Sequence, residues 1–308
     1  MVRRGTISQK YYAGSRLDQD CLTVPARRSI SSPCFPRFGS ANLADLSSHP
    51  FLLTKWYLDC VSDNGDAAIL YNADLRWNAL SFHYGSLLTA VDGKVGSASS
   101  VRANAAPTVA KGMLALQHQS LGIEGTWQAL RDPLRRTVFE TADGAVDWHC
   151  LQPMSKVDLL LPRNTRLRGI GYAECLTLSV LPWRLPMTSL RWGRYLSQQD
   201  AIVWIDWRGS APHRSVIHNG EEHFAESITE SEVMFAGIGA RLELDCGLVL
   251  REGRLGDTIF PGISRLAALL PRSMLAVNEC KWRSRGVFRT GAGQSSGWAI
   301  HEVVKWKE

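Results

Sequence analysis

From about residue 50 onward, apolar residues recur at every second position, the period of a half-buried strand rather than of a helix. In "GIGYAECLTLSVLPW" (Gly169–Trp183), Tyr172, Glu174, Leu176, Leu178 and Val180 share one face, and Ala173, Cys175, Thr177 and Ser179 share the other. "GWAIHEVVKWKE" (Gly297–Glu308) repeats the pattern: Trp298, Ile300, Glu302, Val304 and Trp306 alternate with Ala299, His301, Val303 and Lys305. "AAILYNADLRW" and "AIVWIDW" are further β-rich runs. Turn dipeptides punctuate the chain at Asn64-Gly65, Asp92-Gly93, Asp143-Gly144 and Asn219-Gly220. Two of them sit between convincing hairpin arms, "TVFETADGAVDW" and "SVIHNGEEHF". Helix signals are weaker. "GISRLAALLPRS" predicts a short helix stopped by Pro271, and "APTVAKGMLALQHQSLG" fits helix or strand.

Many short strands with few helices predict an all-β protein of barrel-like lobes packed together. At 308 residues, two such units are expected. The division drawn from the sequence is a loosely attached segment at 1–45, a first lobe at 46–165 and a second at 166–308. A faint echo hints at duplication: "DLRWNALSFHYGSLL" at Asp74–Leu88 and "SLRWGRYLSQQDAIV" at Ser189–Val203 both carry Leu-Arg-Trp followed by an aromatic residue.

Composition adds three points. The net charge of +6 is partly local, because residues 1–40 hold Arg3, Arg4, Lys10, Arg16, Arg27, Arg28 and Arg37 against Asp18 and Asp20. No basic helix or aromatic-basic module accompanies it, so nucleic acid is not an expected partner. The seven cysteines form no CxxC pair and read as reduced core residues, which points to a reducing compartment, the cytoplasm. No apolar run reaches transmembrane length and no secretory signal opens the chain, although its Arg- and Ser-rich start leaves a transit peptide or a ragged start open. Eleven tryptophans are more than a chain this long usually carries, and they suit the walls of a pocket for a bulky apolar ligand.

Other motifs carry little chemistry. "GAGQSSGW" (Gly291–Trp298) lacks the Lys-Ser/Thr of a phosphate loop, and "GIGARLELD" (Gly237–Asp245) lacks the third glycine of a dinucleotide site; both predict turns. His213, His218 and His223 flank an Asn-Gly turn and predict an exposed hairpin, so no metal is expected. The two carboxyls on apolar faces, Glu174 and Glu302, are the unusual feature. Each has an ordinary structural alternative: an ion pair with an arginine, Arg168 or Arg194 for Glu174 and Arg194 for Glu302.

Three pieces together resemble a known superfamily: "WYLDCVSDNGDAAILY" (Trp56–Tyr71), "DWHCLQPMSKVDLLLPRNTRLRGIGYAE" (Asp147–Glu174), and "LRWGR" with "GWAIHEVVKW". They are similar to the two-lobed lipocalin-like group of carotenoid 1,2-hydratases (hydroxyneurosporene synthases), tocopherol-cyclase-like proteins and Diels–Alderase-like cyclases. In the hydratase branch, the second piece resembles Gly-Tyr-His-Asp-His-Asn-Trp-Gly, whose Tyr and Asp are linked to protonation of an isoprenoid double bond. This chain keeps Tyr172, places Glu174 at the acid position, and has Ala173 and Cys175 where that branch has His. Trp148 and His149 lie near the branch's upstream His/Trp elements, in a different spacing.

The resemblance and the alternation together predict Glu174 as a proton-donating acid with Tyr172 beside it. An apolar setting disfavours the carboxylate and keeps the carboxyl protonated. Trp148, Trp183, Trp192 and Trp204 are the expected aromatic walls for a carbocation, with His149, Arg194 and Glu302 as further binding residues. The expected partner is an apolar small molecule, an isoprenoid or polyene, transformed without a cofactor by hydration or cyclisation. Two other functions stay open: pericyclic cyclisation in natural-product biosynthesis, and non-catalytic binding of an apolar molecule. Peripheral membrane association and oligomeric state are left open.

Overall fold

A computed structural model of the chain describes residues 50–259 and 270–306. The expectation for residues 1–45, and most of the helix expected before Pro271, lie outside those residues. Everything described is dominated by two ten-stranded antiparallel sheets. In spatial order the first runs β4 (Lys94–Ser100), β3 (Leu80–Val91), β2 (Ala67–Trp77), β1 (Phe51–Val61), β10 (Thr165–Leu178), β9 (Gly144–Leu161), β7 (Ile123–Ala129), β6 (Met113–His118) and β5 (Thr108–Ala110), with β8 (Leu134–Thr141) paired beside β9. The second runs β14 (Glu221–His223), β13 (His213–His218), β12 (Ala201–Gly209), β11 (Met187–Leu196), β20 (Gly293–Lys305), β19 (Asn278–Thr290), β17 (Arg241–Leu244), β16 (Glu232–Phe235) and β15 (Ala225–Ile228), with β18 (Leu248–Arg254) beside β19. The described helices are short: α1 (Leu255–Thr258) and α2 (Arg272–Leu275), the latter starting just after Pro271.

Each strand of the first sheet has a counterpart ten strands later in the same spatial place, so the fold is an internal repeat. The register makes the match residue by residue. Tyr57 on β1 faces Glu174 on β10, and Trp192 on β11 faces Glu302 on β20. Gly169 and Gly297 are equivalent too. A Cβ on either would strike the backbone of the neighbouring strand, 2.0 Å from the Val61 carbonyl oxygen and 2.1 Å from that of Leu196 respectively, so both places require glycine. The Leu-Arg-Trp echo does not follow this repeat: its first copy is on β2 and its second on β11, the counterpart of β1. The sheets also change between Leu178 and Met187, later than the 165/166 division drawn from the sequence, so the strand carrying Glu174 closes the first sheet.

The turn dipeptides do what their chemistry predicts. Asn219 and Gly220, at φ of 49° and 93°, close the β13–β14 hairpin in the left-handed backbone region those residues tolerate. The segment that fitted helix or strand is β5 and β6, and the two glycine-rich stretches are turns into β17 and β20.

Alternation sorts the side chains into three main layers. Leu58 and Cys60 point into the first lobe's own core with Leu114, Trp127 and Leu159. Tyr195, Trp204, Leu242 and Phe288 fill that of the second lobe. Between the sheets lies a third core, in which Tyr57, Trp148 and Tyr172 meet Trp192, Val203 and Ile300. The Glu174 face therefore looks at the other lobe and not into its own barrel.

A fully buried ion pair crosses this middle layer. Asp59 follows Tyr57 by two residues, Arg194 follows Trp192 by two, and the two equivalent positions meet. Arg194 Nε and Nη2 donate to Asp59 Oδ2 and Oδ1 at 2.9 and 2.8 Å, with both side chains fully buried. The Tyr57 hydroxyl and the Tyr172 amide donate to the same carboxylate at 2.9 and 3.1 Å. Burial pushes the Asp59 pKa up, and these donors work against it, with Arg194 foremost.

Candidate active site

The middle layer opens into a cavity of about 410 Å3. Both sheets line it, and so do Trp183 in the crossing between lobes and Leu255 and Met274 of the two helices. Its wall is overwhelmingly apolar, with a few ionisable groups gathered in two places.

The first place is Glu174 on β10. Strand β9 carries Pro153, which has no N–H to give to the ladder, and the register between β9 and β10 slips around Ala173. Just past the slip, Glu174 faces Cys150, and Trp148 lies two residues further along β9 on the same face. Trp148 Nε1 donates to Glu174 Oε2 at 2.5 Å, and the Tyr172 hydroxyl donates to that same oxygen at 2.6 Å. Oε1 has no partner among the described residues. Burial raises the Glu174 pKa; the two hydrogen bonds and the nearby Lys55 charge only partly oppose it. Oε1 is the oxygen left free to carry a proton, and the residue lines the cavity. Tyr172 is wholly buried and does not line the cavity itself; it hydrogen-bonds Glu174 and packs edge-on against Tyr57 and Trp192, which do.

The second place is on the opposite wall. Glu302 on β20 is ion-paired to Lys281 on β19. Lys281 also lies 3.3 Å from Glu279, and Arg251 on β18 is 3.5 Å from Glu279. Lys281 is fully buried, and burial lowers its pKa to about 8 against the opposing pull of Glu279. For Glu279 burial acts upward, but Lys281 and Arg251 outweigh it and the net direction is down. Lys55 reaches the cavity from β1, with its Nζ 5.5 Å from the centre of the Tyr71 ring.

The expected site residues divide on this geometry. Glu174, Trp148, Trp183, Trp192 and Glu302 come together around the cavity. Three others are placed elsewhere. Trp204 pairs with Gly193 on β11 while Trp192 pairs with Ile205, so it points the opposite way, into the second lobe's core beside His301. His149 follows Trp148 by one residue and turns away from the cavity for the same reason, half-buried over Cys175. Arg194 is committed to Asp59, and Arg168 to Asp158 at 3.0 Å, so neither arginine partners Glu174, and the partner of Glu302 is a lysine. Lys55, Tyr57, Tyr71, Arg251 and Glu279 were not foreseen as site residues. Their signal was polar residues at period two in otherwise apolar strands, "KWYLD" and "ECKWR".

No protein-family model matches the chain, and no curated protein matches it in sequence. Solved structures match it in fold. Kievitone hydratase from Nectria haematococca superposes with a TM-score of 0.52 at 11% identity, over 83% of this chain and 89% of its own. CghA in its complex with Sch210972 superposes with a TM-score of 0.51 at 11% identity, over 84% and 89%. The fold is thus the all-β, two-lobed lipocalin-like architecture, with a carboxyl of raised pKa on the wall between its lobes. Among the described residues, no helix is long and apolar enough to cross a membrane. The five cysteines within them are free.

Proposed function

We propose that this protein is a cofactor-independent hydratase or cyclase in which Glu174 protonates a carbon–carbon double bond of an apolar isoprenoid or polyene. The observation that carries the reading is the hydrogen bonding of Glu174: Oε2 takes both donors, which leaves Oε1 to carry the acid proton in an apolar cavity. An alkene is a weak base, and a neutral carboxyl shielded from water is a stronger donor towards it than an exposed carboxylate, which has no proton to give. Proton transfer leaves a carboxylate on Glu174 and a carbocation on the substrate. The Trp148 and Tyr172 donors then stabilise the carboxylate. The ring faces of Trp148, Trp192 and Tyr57 attract the cation, by about 0.5–2 kcal/mol per contact. The cation is consumed in one of two ways. Water adds to it, or a second double bond of the same substrate attacks it. In either case a proton is lost afterwards and returns to Glu174. Tyr172 acts as a positioning residue that holds Oε2. The hydratase named among the fold neighbours supports the first outcome.

Glu174→Gln keeps size and removes the transferable proton. It is expected to lower turnover of a prenylated or polyene substrate by roughly 10²–10⁴-fold with folding retained. Unchanged turnover in a folded variant would discard proton donation in favour of a pericyclic cyclase, and binding without turnover in the wild type would leave a carrier.

A further inference from the structure

The charged cluster around the Tyr71 ring, drawn from both sheets, does not pair off evenly. Three cations gather there: Lys55, Arg251 and Lys281. Among the described residues, the carboxylates within 4 Å of any of the three are Glu279 and Glu302. Lys281 takes both carboxylates and Arg251 shares Glu279, while Lys55 has no carboxylate within 4 Å among the described residues. Its Nζ lies over the Tyr71 ring from one side of the cluster, and the Arg251 guanidinium is 5.8 Å from the same ring centre. Both side chains line the cavity. An unneutralised positive charge facing an apolar, water-poor space is costly to hold and attracts an anion strongly.

We propose that the cavity's ligand is an amphiphile, whose anionic oxygen head, a carboxylate or enolate, seats between Lys55 and Arg251. Its apolar body then runs along Trp192, Leu190 and Trp207. The inference rests on the reading of this cavity as the substrate site, and it adds what fixes the substrate's orientation. The head anchored at Lys55 brings a set stretch of the body opposite Glu174, so only a double bond at one distance from the head is protonated. Substrates lacking the acidic head would bind in several registers.

The test uses two fluorescent probes that differ only in charge, cis-parinaric acid and its methyl ester, titrated into the full chain. The acid is expected to bind roughly tenfold or more tightly than the ester, the strength of a charge-assisted contact. Lys55→Met should bring the acid to the ester's affinity and leave the ester unchanged, while Lys55→Arg should keep the preference. Equal binding of acid and ester by the wild type overturns the anion seat and leaves the apolar cavity standing. A Lys55→Met variant that weakens both probes alike also overturns it. If neither probe binds the wild type, the cavity reading and the anion seat fall together. The wild-type comparison decides by itself should the variant misfold.

Discussion

Glu174 and Glu302 occupy the same position in two copies of one fold, yet they do different things. Each sits opposite an aromatic residue of the first strand of its lobe, Tyr57 or Trp192. What differs is the strand on the other side. Around Glu174, β9 offers Trp148 and Cys150; at the equivalent places of β19 stand Glu279 and Lys281. The position of Tyr172 is taken by Ile300. One carboxyl takes its hydrogen bonds from neutral donors, and burial raises its pKa against them and against the nearby Lys55 charge. The other meets an ammonium group and forms an ion pair. The repeat thus supplies one wall able to give a proton and one wall able to hold charge, from a single backbone design. The chemistry of each wall is set by two or three side chains on the neighbouring strand.

The largest effect is expected where the two copies touch. Asp59 and Arg194 are also equivalent positions, one an acid and one a base, and each is the other's charge partner. Asp59→Asn leaves a buried guanidinium without a counter-ion and should cost about 3–5 kcal/mol of stability, read by urea denaturation. Replacing both together, Asp59→Leu with Arg194→Met, should recover most of that loss. If the two single losses simply add, the pair is not what joins the lobes.

This pair also marks where the sequence stopped being legible. Strands, hairpins and the two-lobed all-β class follow from local alternation and from turn chemistry, both readable within ten residues. The acidic site is readable for the same reason, since a glutamate in register with leucines needs no partner to look unusual. Asp59 and Arg194 are 135 residues apart, and nothing local in either strand announces the other. The assignment of Arg194 to the ligand failed on that distance. Trp204 failed differently. Tryptophans on two adjacent strands look alike by type, and only the pairing of Trp204 with Gly193 shows that it faces away from Trp192. The lobe boundary was placed early because β10, an N-terminal-lobe strand, follows β9 after a short turn and reads as the start of a new unit.

A pair of single substitutions sharpens the comparison of the two acids. Glu302→Gln removes one of two carboxylates from buried Lys281 while Glu279 stays. It should lower stability by about 1–3 kcal/mol, the loss of one hydrogen bond to a charged group. Turnover should stay within a few-fold of wild type. Glu174→Gln should do the reverse, sparing stability and lowering turnover. If Glu302→Gln instead matches Glu174→Gln in turnover and leaves stability untouched, the two walls share the chemistry and the division drawn between them is wrong.

The smallest effect is a shift in pH dependence that isolates the neutral donors of the first wall. A carboxyl whose pKa is raised by folding binds its proton more tightly in the native state than in the unfolded chain. The contribution of this group to stability is therefore greatest at low pH and falls as pH rises from the ordinary glutamate range through the raised Glu174 value. The Trp148 indole opposes that rise by donating to Oε2. Trp148→Phe removes the donor, so the Glu174 pKa should climb further and the fall in stability with pH should deepen. The packing lost with the indole costs the same at every pH, so it lowers the whole curve without changing its slope. In the Glu174→Gln background the slope contributed by this group should vanish, and Trp148→Phe should then leave the shape of the curve unchanged. Urea midpoints measured from pH 4 to pH 9 on the four proteins read both effects. A Trp148→Phe curve parallel to wild type would mean that the indole does not act on the Glu174 proton, and that burial is opposed only by Tyr172 and Lys55.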